Sequence, residues 1–78
     1  MAKILIVEDD TEWRRTYSEW LKPHYPDIIT AKDGEEAIQK LEGVDLIIAD
    51  AQMPRIDGFE LLRRVKHDHS GIAFIIIT

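Results

Sequence analysis

The sequence predicts an α/β fold in which helices cover both faces of a parallel sheet, in three layers. Short apolar runs of strand length alternate with amphipathic segments of helix length. The first run, Ile4–Val7, contains no polar residue, which is typical of strands that are buried on both faces. The predicted element order is βαβαβαβ, and parallel strands joined through helices take right-handed crossovers.

A first helix is expected after the strand Ile4–Val7. Either Asp10 or Thr11 can cap its first turn, and Pro23 and Pro26 end it. Aromatic residues recur along it at helical spacing, and we expect them to belong to the core: Trp13, Tyr17 and Trp20.

A second strand is expected at Ile28–Ala31, followed by a helix that opens with Asp33–Glu36. Acidic residues in a first turn are favoured by the helix dipole. Gly43 suits the C′ position of this helix. Its apolar face is predicted to consist of three residues: Ala37, Ile38 and Leu41.

The third strand is predicted at Val44–Ala49 and ends in Asp50. Residues 51–56 form a loop, since Pro54 disfavours a helix through them. Asp57 with Glu60 three residues later resembles a capping box, which indicates the start of a helix.

The third helix is predicted to run to about Lys66, and the strand Ile72–Thr78 follows a polar turn. The expected buried stripe of this helix has four members: Phe59, Leu61, Leu62 and Val65.

Composition narrows the possible classes of protein. The 78 residues, with 45% hydrophobic and 32% charged residues, are expected to form one small folded domain over 1–78. A formal net charge of −5 disfavours binding to nucleic acid or to anionic membranes. No signal peptide is visible, and the longest apolar run, Ile72–Ile77, is too short to span a bilayer. Without cysteine there is no disulfide, so a cytoplasmic setting is predicted.

Polar residues collect where the predicted strands end. Glu8 and Asp9 follow the first strand, Asp50 ends the third, and Thr78 ends the fourth. Ligands bind beyond the carboxyl ends of strands in open parallel sheets, so these groups are expected to converge if the strands are neighbours. Clustered carboxylates repel one another unless a cation neutralises them, and Mg²⁺ is the hard, oxygen-preferring ion that suits such a site.

Four motifs in this order resemble the receiver (CheY-like) family of two-component response regulators. They are Ile4–Asp10, the apolar strand that ends in Asp50, Met53-Pro54-x-x-Asp57-Gly58, and the strand-terminal Thr78. Residues 31–37 resemble the family's second strand–helix junction. The resemblance implies a flavodoxin-like fold with strand order 2-1-3-4-5. Pro54, Asp57 and Gly58 are then structural, with Asp57 as a cap and Gly58 as a close-packing position.

The resemblance also implies site roles. Asp50 is the phosphoacceptor, which takes a phosphoryl group from a sensor histidine kinase or a phosphotransfer protein. Mg²⁺ is bound by Asp9, Asp50 and the backbone carbonyl of Gln52, with Glu8 acting through water. The Thr78 hydroxyl donates a hydrogen bond to the phosphoryl group. Such a domain is a phosphoacceptor and not an enzyme.

The family has five strand–helix pairs, and these residues end after the fourth strand, without the family's fourth helix, fifth strand and fifth helix. The absent part includes the family's lysine at the end of the fifth strand, so phosphorylation of residues 1–78 alone is expected to be impaired. The fourth strand would then be an apolar edge, which predicts a homo-oligomer.

Two alternatives remain open at the level of sequence. The chain could be a receiver fragment that only self-associates. It could also be a Mg²⁺-dependent phosphohydrolase with Asp50 as transient nucleophile, although such enzymes carry a second acid two residues later, where this chain has Gln52. The pair His67 and His69 could bind a metal, but is expected to be only solvated.

Overall fold

A computed structural model describes residues 2–78, so Met1 of the predicted domain lies outside the described residues. The order βαβαβαβ is confirmed. The elements are β1 (Ile4–Val7), α1 (Thr11–Leu21), β2 (Ile28–Ala31), α2 (Gly34–Gln39), β3 (Leu46–Asp50), α3 (Gly58–Asp68) and β4 (Ala73–Ile77). Strands β3 and β4 are shorter than predicted, and α3 extends two residues beyond Lys66. No helix within residues 2–78 is long and apolar enough to cross a membrane.

The four strands form one parallel sheet in the order β2-β1-β3-β4, as predicted. In the register of this sheet, Ile6 lies between Thr30 and Ile48, and Ile48 pairs with Ile75. Since every strand runs in the same direction, the carboxyl ends of β1, β3 and β4 meet at one edge.

Helices lie on both faces of the sheet. The main buried cluster joins alternate residues of β1 and β3 to α2 and α3. The largest fully buried members of this cluster are Leu5, Val7, Ile47, Leu61 and Val65. Ile4 and Ile6 point to the opposite face of the sheet and are buried on the side of α1. A purely apolar β1 is therefore required, because both of its faces are covered.

The predicted core role of the α1 aromatic residues is wrong for Trp13 and Trp20, whereas Tyr17 is half-buried. Trp13 is 51% exposed and Trp20 is 64% exposed, while the buried residue of α1 is Ser18. At 100° per residue, the aromatic stripe is centred about a third of a turn from Ser18, so it misses the sheet. The rings contact one another instead, with centroids 5.5 Å apart for Trp13 and Tyr17 and 6.0 Å apart for Tyr17 and Trp20.

Two further residues predicted to be buried are exposed. Phe59 is 58% exposed and Ile38 is 38% exposed. The buried faces of these helices are formed by other residues: Gly58, Leu61 and Val65 in α3, and Gly34 and Ala37 in α2. Gly43 has the predicted left-handed backbone, with φ of 75°. It is not the C′ residue, however, because α2 ends at Gln39 with Lys40 as its C-cap.

Aspartates cap all three helices. The Asp10 carboxylate accepts hydrogen bonds from the backbone N–H groups of Glu12 and Trp13, which selects Asp10 over Thr11 as the cap of α1. Asp57 accepts from the backbone N–H of Glu60 at 2.8 Å. The Glu60 carboxylate does not complete the predicted capping box, because it accepts hydrogen bonds from Arg63 and Arg64.

The first residue of α3 packs against the end of β3. The Gly58 backbone N–H donates to the Ala51 carbonyl at 3.0 Å, and a Cβ atom at Gly58 would overlap the carbonyl oxygen of Asp50. Glycine is therefore required for α3 to start this close to Asp50.

Replacing this glycine should destabilise the fold. We expect Gly58→Ala to lower the free energy of unfolding by about 2 kcal/mol or more, because the added methyl group displaces α3 from the backbone of β3. Gly71→Ala is the matched control: its Cβ meets open space, so stability should stay constant or rise by up to about 1 kcal/mol. Urea unfolding measures both, and equal stabilities would contradict this packing argument.

Candidate functional site

The carboxylates of Glu8, Asp9 and Asp50 meet at the carboxyl edge of the sheet. Because β1 and β3 are adjacent and in register, the residues that follow β1 lie beside the last residue of β3. One carboxylate oxygen from each of the three residues lies within 4.8 Å of the other two. The predicted convergence of these acids is therefore confirmed by the geometry.

The three carboxylates differ in their surroundings. Glu8 is buried, Asp50 is half-buried and Asp9 is exposed. The Glu8 carboxylate accepts a hydrogen bond from the backbone N–H of Asp10 at 3.1 Å. The Asp50 carboxylate accepts one from the backbone N–H of Gln52 at 3.2 Å, through its Oδ1 atom. The side chains of Glu8 and Asp50 are thus oriented by the backbone of the loop that follows each of them.

Burial raises the pKa of Glu8 to about 7. The hydrogen bond from the Asp10 backbone opposes this increase, whereas a hydrogen bond shared with the Asp9 carboxyl group and the charges of Asp50 and Asp9 add to it. The same field reaches α1: burial, followed by the charges of Glu8 and Asp50, raises the pKa of Tyr17. The site therefore carries unneutralised negative potential.

This cluster fits a hard divalent cation. Within residues 2–78, no lysine or arginine side chain forms an ion pair with Glu8, Asp9 or Asp50. Arg14 lies close, but it donates to the backbone carbonyl of Glu8 at 2.7 Å. Three close carboxylates that are not paired with a protein cation form an oxygen-rich, negatively charged site, and this is the ligand chemistry that Mg²⁺ prefers.

An open cavity of about 390 Å³ lies beside Asp50. Thr78 lies on its wall, where the pairing of the Ala51 backbone N–H with the Ile77 carbonyl at 2.9 Å brings the end of β4 to the start of the loop. The remaining lining residues are Ala51, Gln52, Asp57 and Phe59. The cavity therefore joins Asp50, Gln52 and Thr78, while Asp9 and Glu8 complete the acidic cluster beside it.

Sequence reasoning missed the position of Phe59, which was assigned to the core and lies on this cavity. Its position directly after Asp57 and Gly58, in the first turn of α3, is the signal that could have placed it near Asp50. His67 and His69 lie elsewhere. Both are exposed, and in the part of the chain that the structure describes they join no cluster of metal-ligating side chains.

The fold and the site together define a class: an α/β domain with a flavodoxin-like sheet order and an acidic edge at the carboxyl ends of β1 and β3. Residues 4–78 match the response regulator receiver domain family, and the chain belongs to that family.

Individual relatives agree with this assignment. The chain is 39% identical over 67 residues to the transcriptional regulatory protein CpxR homolog of Haemophilus influenzae. The alignment covers 85% of this chain and 30% of that protein. It is 31% identical over 75 residues to a cyclic di-GMP phosphodiesterase of Thermotoga maritima, covering 96% of this chain and 20% of that protein. The chain thus spans less than a third of each of these two relatives.

Solved structures show the same fold. The response regulator protein TrrA from Thermotoga maritima, solved in complex with Mg²⁺-BeF, superposes with a TM-score of 0.92 at 33% identity, covering 97% of this chain and 68% of that one. The N-terminal domain of an uncharacterized protein from Wolinella succinogenes superposes with a TM-score of 0.87 at 40% identity, covering 99% of this chain and 64% of that one.

The raised pKa of Glu8 should make stability depend on pH in metal-free buffer. The pKa is about 7 in the folded protein against 4.5 for an ordinary glutamate, so the stability from this group is fully present below pH 4.5 and is lost as pH rises through 7. A tenfold difference in proton affinity is worth about 1.4 kcal/mol, so the loss is on the order of 3 kcal/mol.

Denaturant unfolding between pH 4.5 and 8 measures this loss. Glu8→Gln should remove it, while Glu12→Gln, which changes an exposed glutamate on α1, should keep it. The same pH profile in wild type and Glu8→Gln would show that Glu8 does not carry the effect.

Proposed function

We propose that residues 1–78 are part of one receiver domain that accepts a phosphoryl group on Asp50. The observation that carries the proposal is the position of Asp50, which ends β3 between the acidic cluster and the cavity that Thr78 lines. A nucleophilic carboxylate at such a place has a cation site on one side and space for a phosphoryl group on the other. Membership of the receiver family supports the same role.

The donor is a phosphohistidine of a sensor histidine kinase or a phosphotransfer protein. A carboxylate oxygen of Asp50 attacks the phosphorus atom; the new O–P bond forms as the P–N bond to the imidazole breaks, and the imidazole nitrogen keeps the bonding electrons and takes up a proton. The hydrogen bond from the Gln52 backbone N–H to Oδ1 orients the Asp50 carboxylate for this attack. Phosphoryl transfer of this kind depends mainly on positioning and on charge neutralisation.

Mg²⁺ would be held by Asp9, Asp50 and the backbone carbonyl of Gln52, with Glu8 acting through a water molecule. When bound, the ion offsets the negative charge of the carboxylates and of the phosphoryl oxygens. The cluster of carboxylate oxygens within 4.8 Å supports this site, as does the Mg²⁺-BeF complex of the related TrrA. Thr78 would donate its hydroxyl hydrogen to a phosphoryl oxygen from the cavity wall.

In this role the domain is consumed as a phosphoacceptor and does not turn over a substrate, so it is not an enzyme. The phosphohydrolase alternative gains no support, because Gln52 stands where a second acid is needed.

A cytoplasmic location belongs to the proposal, since a chain without cysteine has no disulfide to stabilise it in an oxidising compartment. With a net charge of −5, this part of the protein is not expected to bind nucleic acid itself.

Phosphorylation tests the proposal directly. A polypeptide of residues 1–78, incubated with a small phosphodonor and Mg²⁺, should gain one phosphoryl group slowly, because it lacks the lysine that the family contributes from a fifth strand. A longer polypeptide that includes the following segments of a related receiver should react faster. Intact-mass spectrometry measures the added mass.

Three variants give this experiment its controls. Asp50→Asn should take up no phosphoryl group, and Asp9→Asn should lose the dependence on Mg²⁺, whereas Asp45→Asn, an exposed acid at the opposite end of β3, should behave as wild type. Equal phosphorylation of the longer wild-type polypeptide and its Asp50→Asn variant would refute the assignment.

Self-association through β4 is the second candidate function, and the exposure of this strand favours it. Within residues 2–78, no strand pairs with the outer edge of β4, whose sequence from Ala73 to Ile77 contains neither a charge nor a proline. Ile75 is 49% exposed, and its pairing with Ile48 places it on the α1 face of the sheet. An apolar, unblocked edge strand pairs readily with another copy of itself.

We expect the 78-residue chain to form a homodimer or larger assembly at micromolar concentration. Ile75→Lys should shift it toward monomer, because the charge opposes apolar contact at the strand edge. Ile38→Lys is the matched control, since it changes a partly exposed isoleucine on α2. Light scattering over a dilution series measures the mass. A folded wild-type monomer at these concentrations would contradict the prediction, as would a dimer that Ile75→Lys leaves intact.

A further inference from the structure

The loop between β3 and α3 contains a strained turn centred on Arg55. Arg55 has φ of 66°, and within residues 2–78 it is the one non-glycine residue with a positive φ. The Ile56 backbone N–H donates to the Pro54 carbonyl at 2.8 Å, which closes a three-residue γ-turn around Arg55. The form of this turn with positive φ is rare and strained, and such strain persists only where surrounding contacts hold it.

Ion pairs to the start of α2 hold this turn. Arg55 Nη2 lies 2.9 Å from Asp33 Oδ2, and Arg55 Nε lies 3.0 Å from Glu35 Oε1. Asp33 is buried, and its Oδ1 atom accepts the backbone N–H of Glu36 as the cap of α2. Because Asp33 is fixed in this way, its pair with Arg55 is the more constraining one, while the exposed pair with Glu35 adds less.

Ile56, the residue after Arg55, adds to the contact between this loop and the start of α2. Ile56 is buried against Gly34, where a Cβ atom would lie 2.9 Å from the Ile56 side chain. Arg55 and Ile56 therefore fasten one end of the loop to the first turn of α2. The other end is fixed by the hydrogen bonds of Ala51 to Ile77 and to Gly58. Gln52 lies between these two fixed points.

We propose that Arg55 is a positioning residue for the metal site. Its ion pairs with Asp33 and Glu35 stabilise the γ-turn, and the turn sets the path of residues 51–57 and hence the direction of the Gln52 carbonyl. This inference rests on the metal site proposed above, because it assumes that the Gln52 carbonyl is a ligand. It links α2, which contributes no ligand, to cation binding.

The direction in which Mg²⁺ affinity changes when Arg55 is removed distinguishes a positioning role of Arg55 from an effect of its charge. Arg55 is a cation on a loop next to a cluster of carboxylates, so its removal by itself should strengthen Mg²⁺ binding. If Arg55 acts through the path of the loop, its removal should weaken Mg²⁺ binding instead. An outer residue that orients a ligand typically changes metal affinity by about tenfold or more.

The experiment is a titration of the 78-residue protein with Mg²⁺, in which isothermal titration calorimetry measures the affinity. Thermal unfolding is measured in parallel. Arg55→Ala and Asp33→Asn should each weaken binding about tenfold. Asn at position 33 keeps the capping oxygen but puts an amide where Arg55 needs an acceptor. Arg55→Gly relieves the backbone strain, so it should unfold at a higher temperature than Arg55→Ala and still bind Mg²⁺ more weakly than wild type. Arg55→Lys should restore part of the affinity.

The controls distinguish the possible failures. Arg15→Ala removes an exposed arginine of α1 that forms no ion pair among the described residues, and it should not weaken binding. Wild type that binds no Mg²⁺, or binds it as well as Asp50→Asn does, would refute the metal site and this inference with it. Wild type that binds through Asp50, with Arg55→Ala and Asp33→Asn binding equally well or better, would overturn the role of Arg55 alone.

Discussion

Repulsion among the carboxylates of Glu8, Asp9 and Asp50 is the constraint on which the rest of the structure depends. Three acids within 4.8 Å of one another are unfavourable in any folded chain, and burial of one of them adds to the cost. The scaffold tolerates this arrangement because burial of apolar β1 on both faces, and of one face of β3, stabilises the fold against this cost. The repulsion among the carboxylates makes the metal-free site electrostatically unfavourable, and a cation that binds there reduces this repulsion.

The scaffold holds the acids by backbone contacts more than by side-chain contacts. Asp50 is the last residue of β3, the first residue of α3 packs on its carbonyl, and the next loop donates an N–H to its carboxylate. Glu8 receives an N–H from the loop after β1 in the same way. Each acid is therefore placed by the end of a strand, where backbone geometry is strongly determined. The loop after β3 is longer and depends on α2 for its shape.

Much of this arrangement could be predicted from the sequence, and the failures have physical causes. The alternation of apolar runs with helical segments predicted parallel strands, and the resemblance to receivers implied their order. With that order, the position of the acids after the runs predicted their convergence. Helical periodicity failed for Trp13 and Trp20, because it identifies an apolar face without saying which face meets the sheet. The turn at Arg55 was not predictable, since a positive φ at arginine follows from tertiary contacts with Asp33 and not from local preference.

The parallel register of β1 with β3 has a consequence for folding kinetics. The residues that immediately precede these strands, Lys3 and Asp45, are hydrogen-bonded although they are 42 positions apart in the chain. Such non-local pairing forms slowly, because the loop entropy must be lost before the contact stabilises the chain. The acidic cluster does not exist until this pairing is made, so a cation that binds only there cannot speed the step before it. Its stabilising effect falls on the unfolding rate, and an ion-loaded domain gains lifetime rather than faster folding.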